Sequence, residues 1–283
     1  MYFSLILCFL IYAYFALSNF GGVNLIKGLY TAGAGMMLQM ARQDVVANNL
    51  ANVNTGGYKK QTAVAQAFPN MLMSRLGEIE KNIEGEYQPV PIKLIGGVGT
   101  GAAIDKIYSD FSMGNIRKTD NATDLALNSD GYFAVLTPQG ERYTRNGQFK
   151  INNEGILTTN QGYPVLDTSD QRITLEGEFS IDEIGNISIA GETIAQLKMV
   201  SFENPQYLVR EGDNLLATQE GETAINLERP GILQGYIEDS NVNAVKEMVE
   251  LINVVRAYES MQKVVQAEDE TTQVAIDQVG SVS

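Results

Sequence analysis

The sequence predicts an α+β fold in which long N- and C-terminal helices, pairing in the manner of a coiled coil, flank a central antiparallel all-β domain. Three observations predict it. Apolar residues recur at steps of three and four from Ile26 to about Ala51, short apolar runs broken by Gly and Asn fill about 104–236, and the helical period returns from Asn241 to about Gln278. The chain then divides into an apolar N-terminal extension (1–24), an N-terminal helix (25–57), an extended arm or linker (58–105), a central β domain (106–236) and a C-terminal helix (237–283).

In the first helix Leu29, Ala32, Met36, Met40, Ala47 and Leu50 form the stripe, and Met37, Ala41 and Val45 widen it. Gly28, Gly33 and Gly35 weaken its early turns by about 1 kcal/mol each relative to alanine, so the helix is marginal alone and wants a partner. Met36, Met37 and Met40 suit an adaptable interface, because methionine is flexible and polarisable. Asn52 to Gly57 then stop the helix, since asparagine and glycine tolerate the left-handed conformation of a helix end.

Within the arm, residues 64–76 fit a short helix or an extended segment, and the glycine-dense 95–103 a strand edge or hinge. In the β domain Tyr132 to Leu136 is a strand, Thr137 to Gly140 a turn and Arg142 to Arg145 the return strand. Asn146-Gly147 reads as a two-residue hairpin turn leading into Gln148 to Ile151. Arg142 and Arg145 are expected to meet carboxylates across strands. Asp120-Asn121 and Asn128 to Gly131 lack the spacing and closing glutamate of a calcium loop and read as turns. The glycines of 96–101 lack the ending of a phosphate-binding loop. In the last helix Val245, Met248, Ile252, Val255, Tyr258, Met261 and Val265 form the stripe, with Ser240 or Asn241 as N-cap.

Composition narrows the function classes. The 283 residues contain no histidine, no tryptophan and one cysteine, Cys8, which excludes Ser-His-Asp and Cys-His catalysis and leaves no intrachain disulfide. A formal charge of −14 argues against nucleic acid or an anionic membrane as partner, because phosphate binding needs clustered Lys and Arg. No catalytic residue, cofactor, metal site or small-molecule substrate is expected. A carboxylate pair for glycoside hydrolysis finds weak support, since among 34 Asp and Glu some pair always lies close. An adhesin with helical stalks is the other competing class. Two apolar seams separated by one folded body suit a filament subunit best.

Residues 1–24 carry no Lys or Arg before or within the apolar run from Met1 to Phe20, and no small-x-small cleavage site follows it. Two readings stand: a membrane or secretion segment, or a stretch upstream of the true start at Leu25, where some bacterial leucine codons initiate. The second is favoured.

The segment Ala47 to Tyr58, with Asn49, Leu50, Ala51, Asn52, Thr55, Gly57 and Tyr58 at its centre, resembles the N-terminal signature of the bacterial flagellar rod and hook family. Leu25 to Met36 is similar to the family's opening, Asp124 to Phe133 and Tyr143 to Phe149 to its β-domain motif, and Val242 to Ile252 with Arg256 to Glu259 to its C-terminal helix. The resemblance implies an axial structural protein, exported by the flagellar type III apparatus without a cleavable signal, whose terminal helices pair in a helical tube that transmits torque. Its implied partners are copies of itself, other rod and hook proteins and the export apparatus, in the flagellar basal body. Such a route leaves no place for an apolar leader. Ser260 to Lys263 look closer to the proximal-rod type than to distal-rod or hook relatives. The expected interface residues are Leu29, Met36, Met40 and Leu50 with Val245, Met248, Ile252, Val255, Tyr258, Met261 and Val265; the signature is expected to stop the helix, and a contact with a neighbouring subunit is a further reading compatible with that.

Overall fold

The computed structural model describes residues 22–75, 79–81, 87–89, 93–218, 223–227 and 229–280. Residues 1–21, most of the apolar extension, lie outside the described residues. Helix α1 spans Gly22–Ala51 and helix α2 spans Ala244–Gly280, one before and one after, in sequence, a central region in which the strand pairs are antiparallel. Helix α2 has 37 residues, about 55 Å at about 1.5 Å per residue. Its N-cap is Asn243, whose Oδ1 accepts from Lys246 N at 3.0 Å. Asn241, one of the two expected caps, instead turns its side chain onto the backbone, accepting from Lys60 N at 2.7 Å and donating to Asp110 O at 2.9 Å. The helix thus begins only after Val242, which is buried.

By contacts the chain forms two compact units. The first takes residues up to Asp44, Ala63–Ile107 and Glu250 onward. Its arm is a ladder of nested pairs: Gln61–Ala67 with Ala102–Ser109, Met71–Arg75 with Lys93–Val98, and Ile79–Lys81 with Tyr87–Pro89. The segment that fitted either helix or arm is therefore extended. In this unit α1 and α2 approach closely where α1 has glycine. A Cβ on Gly35 would lie 2.5 Å from Met261 Sδ, and one on Gly28 2.6 Å from Glu268 Oε1. The two contacts are seven residues apart on each helix and run in opposite senses, so the approach is antiparallel. Gly101, at φ +124°, meets Ala34 and Phe68 in the same way.

The second unit takes Val45–Thr62 and Tyr108–Val249. Its main sheet orders the strands 209–210, 215–217, 140–144, 132–137, 199–201 and 225–226. The run Tyr132 to Leu136 is apolar throughout because both faces of this strand are covered. Phe133 and Val135 enter one core with Leu125, Leu157, Ile187 and Leu197, while Tyr132 and Ala134 enter another with Tyr143, Val200 and Phe202. Period-2 geometry requires that division.

Asn146-Gly147 is not a hairpin turn, contrary to the sequence expectation. Strand 140–144 pairs with 132–137 and 215–217, whereas 149–151 pairs with 157–159, so the dipeptide links two sheets. Glycine is needed there for space. A Cβ on Gly147 would lie 1.6 Å from Leu125 O.

Candidate assembly site

The residues of the signature end α1 and then fold back on it. Thr55 N and Tyr58 N donate to Asn52 O and Thr55 O at 3.1 and 3.3 Å, two successive turns, and Thr55 Oγ1 donates to Asn52 Oδ1 at 3.2 Å. Leu50 is half-buried and Ala51 exposed. Gly57 sits at φ +65° with its N–H on Glu238 O at 2.8 Å, and a Cβ there would be 2.5 Å from the backbone of Arg145 and Asn146. Only glycine meets both demands.

Asn49 is the hub. It is 1% exposed, and its amide is fully used. Nδ2 donates to Gln61 O at 2.8 Å and to Glu247 Oε2 at 3.1 Å; Oδ1 accepts from Gln61 N at 2.9 Å and shares with Asn48 Oδ1 the single proton of Tyr58 Oη, at 3.2 and 2.8 Å. Glu247 is buried and also takes Lys60 Nζ at 2.5 Å. One amide therefore ties the last turn of α1 to the following strand and to the first turns of α2. Tyr58 lies beneath the Arg210 guanidinium, 4.6 Å from ring centroid to Cζ, and Arg210 donates to Lys59 O.

Beside this clasp lies a second buried cluster. Glu238 receives Lys59 Nζ at 2.7 Å and Arg145 Nε at 2.5 Å, with side chains 1%, 4% and 5% exposed. Gly114 N completes the carboxylate at 2.8 Å. Burial pushes the Glu238 carboxyl up, but Arg145 and Lys59 outweigh it and hold the group below its ordinary value of 4.5. Burial pulls the Lys59 ammonium down, and Glu238 only partly offsets that. Arg145 also donates to the carbonyls of Ser129, Gly131 and Leu127, so it fastens the β body internally. Arg142 meets Glu211 at 2.5 Å; both arginines thus find carboxylates, but neither partner lies on a strand paired with 140–144, so the contacts are not the cross-strand ones expected.

The expected seam residues divide. Leu29 and Met40 on α1, and Val245, Met248 and Ile252 on α2, are exposed; Met36, Leu50, Val255, Tyr258, Met261 and Val265 are half-buried. The reason is helical geometry. From Ile252 the stripe takes three consecutive steps of three residues, each falling 60° short of a full turn at 100° per residue, and so migrates around the helix. What the sequence presents as one stripe is two faces. Glu247, Leu251, Val254, Tyr258, Met261 and Val265 form one, turned inward; Val245, Met248, Val249 and Ile252 lie on the opposite side, in the open. Leu29, Tyr30, Met37 and Met40 form a matching open face on α1.

Sequence reading missed Lys59, Lys60, Gln61, Arg210, Glu238 and Glu247 as members of this site. The one available signal was the pair of lysines directly after the signature in an acidic chain.

The chain combines an antiparallel β region with two long helices, one before and one after it in sequence, that carry exposed apolar side chains. Comparison with known proteins is specific. The family model described as flagella basal body rod protein matches 29–59, that of the flagellar hook protein FlgE/F/G D1 domain matches 126–194, and that of the flagellar basal body rod FlgEFG protein C-terminal matches 233–278. The flagellar hook-basal body complex protein FlhO of Bacillus subtilis is 32% identical over 91% of this chain and 100% of its own. The flagellar basal-body rod proteins FlgG and FlgF of Caulobacter vibrioides are 34% and 32% identical over 88% and 91% of the chain and 97% and 99% of theirs. The chain belongs to the flagellar basal-body rod family. It is a structural subunit of the rod in the flagellar basal body, assembled with other rod and hook proteins, and this reading displaces the hydrolase and adhesin alternatives. No helix among the described residues is long and apolar enough to cross a membrane.

Proposed function

We propose that this chain builds the rod by burying the uncovered apolar faces of its terminal helices against neighbouring axial subunits, while the β body supplies lateral contacts. The observation that carries the reading is the exposure of Leu29, Tyr30, Met37 and Met40 on α1 and of Val245, Met248, Val249 and Ile252 on α2, between 46% and 71% each. Each such side chain, about half to two-thirds exposed, gains on the order of 1–2 kcal/mol when fully buried, and a helical array can cover all of them. Glycine-mediated approach at Gly28 and Gly35 supports coiled-coil-like pairing of α1 with α2 inside the chain.

The chain acts by position and carries out no catalytic step; it takes no cofactor, nucleic acid or small-molecule substrate. Its route is the flagellar export apparatus, and its division of labour follows the expected segments: helix 25–57, arm 58–105, β domain 106–236 and helix 237–283. Ser260 to Lys263 support a proximal position in the rod. The N-terminal signature serves first as an intrachain clasp, through Asn49, and its exposed Asn48 and half-exposed Asn52 remain for a subunit contact.

The test is Ile252→Asp in the native host. The charged face should leave the protein folded, exported and soluble while abolishing swimming and rod assembly seen by electron microscopy of basal bodies. Normal swimming would refute the role of this face.

A further inference from the structure

We propose that the β body carries a binding site for a small organic carboxylate, in the cavity walled by Phe111, Tyr132 and Phe202 and floored by Lys59 and Arg145. All its lining residues fall within the second unit, apart from both terminal helices. The ligand is held there and not converted.

The cavity measures about 380 Å³, within the range of about 300–1,000 Å³ usual for small-molecule sites. Its wall is aromatic: the Tyr132 ring meets Phe111 edge-on at 6.5 Å between centroids and Phe202 at 5.7 Å. Tyr132 is 6% exposed, yet its hydroxyl has no hydrogen-bond partner among the described residues. A buried hydroxyl left unpaired weakens the fold, a cost that phenylalanine would avoid. The two charges that act on the hydroxyl most strongly, Arg145 and Asp130, also line the cavity, which places it on the cavity side. Burial pushes its pKa up to about 12, so it keeps its proton and stays a donor.

The floor has donors to spare as well. Lys59 spends two of its three N–H groups, on Glu238 and Ser112 O, and Arg145 four of its five, on Glu238 and the carbonyls of Ser129, Gly131 and Leu127. Two buried cations share one buried carboxylate, a net charge of +1. A carboxylate supplies the missing negative charge and the acceptor lone pairs that three unspent donors require. Asp130 and Glu203, exposed on the same cavity, repel a dianion such as phosphate, and the rings take the apolar body of the ligand.

The experiment titrates the purified full chain by calorimetry and ligand-observed NMR. The probes are benzoate and N-acetyl-L-phenylalanine, with benzamide and inorganic phosphate as controls. At least one of the two carboxylates should bind saturably, with both controls weaker by about tenfold or more. Tighter binding of N-acetylphenylalanine assigns the site to the carboxyl end of a polypeptide, and tighter binding of benzoate to a free acid. Tyr132→Phe removes only the hydroxyl. It should weaken binding about tenfold and leave the melting temperature unchanged or higher, since no bond within the chain is lost. A lower melting temperature would show the hydroxyl already paired inside the protein and overturn the proposal. Equal binding by Tyr132→Phe and wild type, equal binding of benzamide and benzoate, or no saturable binding of either carboxylate would overturn it too, leaving the cavity to water.

Discussion

The Asn49 side-chain amide donates to the Glu247 carboxylate at 3.1 Å across 198 residues of sequence. Through that bond and the paired bonds to Gln61, the end of the first helix and the beginning of the last are defined by the same side chain. The signature of the N-terminal segment is thus read by a residue of the C-terminal one.

Replacing Asn49 should be costly for its size. Asn49→Ala leaves a buried carboxylate short of a donor and both backbone groups of Gln61 without their amide, a loss of about 2–4 kcal/mol. Asn49→Asp should be worse, because it sets a second carboxylate beside Glu247. Urea unfolding of purified protein checks both; a midpoint unchanged in Asn49→Ala would remove the clasp from the argument.

Glycine substitutions should separate strain from steric exclusion. Gly57→Ala combines φ +65° with a backbone contact of 2.5 Å and should cost more than about 2 kcal/mol. Gly162→Ala, at φ +93° with nothing within 4 Å, should cost about 1 kcal/mol from the backbone alone. Equal melting temperatures for the two variants would contradict the close approach of Gly57 to Arg145.

The Glu238 cluster gives the stability an acid limb. A carboxyl held below its unfolded value binds fewer protons in the folded state, so its contribution is complete above about pH 4.5 and fades as pH falls through the lower folded value. Lys59 contributes with the same sign in the alkaline range: its folded value is also depressed, so stability rises with pH there as the unfolded ammonium keeps its proton longer. Glu238→Gln should lose about 3–5 kcal/mol at neutral pH, because it leaves Lys59 and Arg145 buried without a countercharge. Its urea midpoint should also vary less than wild type between about pH 5 and pH 3. A parallel acid decline in both proteins would assign that limb to other carboxylates.

The two faces of α2 should respond oppositely to charge. Ile252→Asp, on the open face, should change folding stability by less than about 0.5 kcal/mol. Val254→Asp, at 2% exposure, should destabilise by about 3 kcal/mol or more through burial of an unpaired charge. Circular dichroism during thermal melting distinguishes them, and similar melts for both would mean that the helix does not present distinct faces.

Elements were legible wherever the signal is local. Helical steps along Leu29 to Leu50, the continuous apolar run around Phe133 and the turn at Pro138-Gln139 each depend on neighbours within a few residues, and these elements form where the sequence places them. Caps and turns were less legible, because Asn243 and Asn241 are equally good caps until Lys60 and Asp110 claim one of them. Asn146-Gly147 has the composition of a hairpin turn and acts as a passage between sheets, since its strands find partners far away in sequence. Glu247 has nothing nearby in sequence to mark it as buried, because its partners Asn49 and Lys60 lie near the other end of the chain.

By itself, then, the amino-acid order determined the α+β architecture, the family and the structural role, because periodicity and the signature are encoded in adjacent residues. Tertiary structure decided which side of each helix is spent within the chain and which stays open, and which charges are buried. A helix turns 100° per residue, so its sequence shows that apolar positions recur but not what faces them; only the approach of Gly35 to Met261 and of Asn49 to Glu247 orients the helices and leaves the opposite sides exposed.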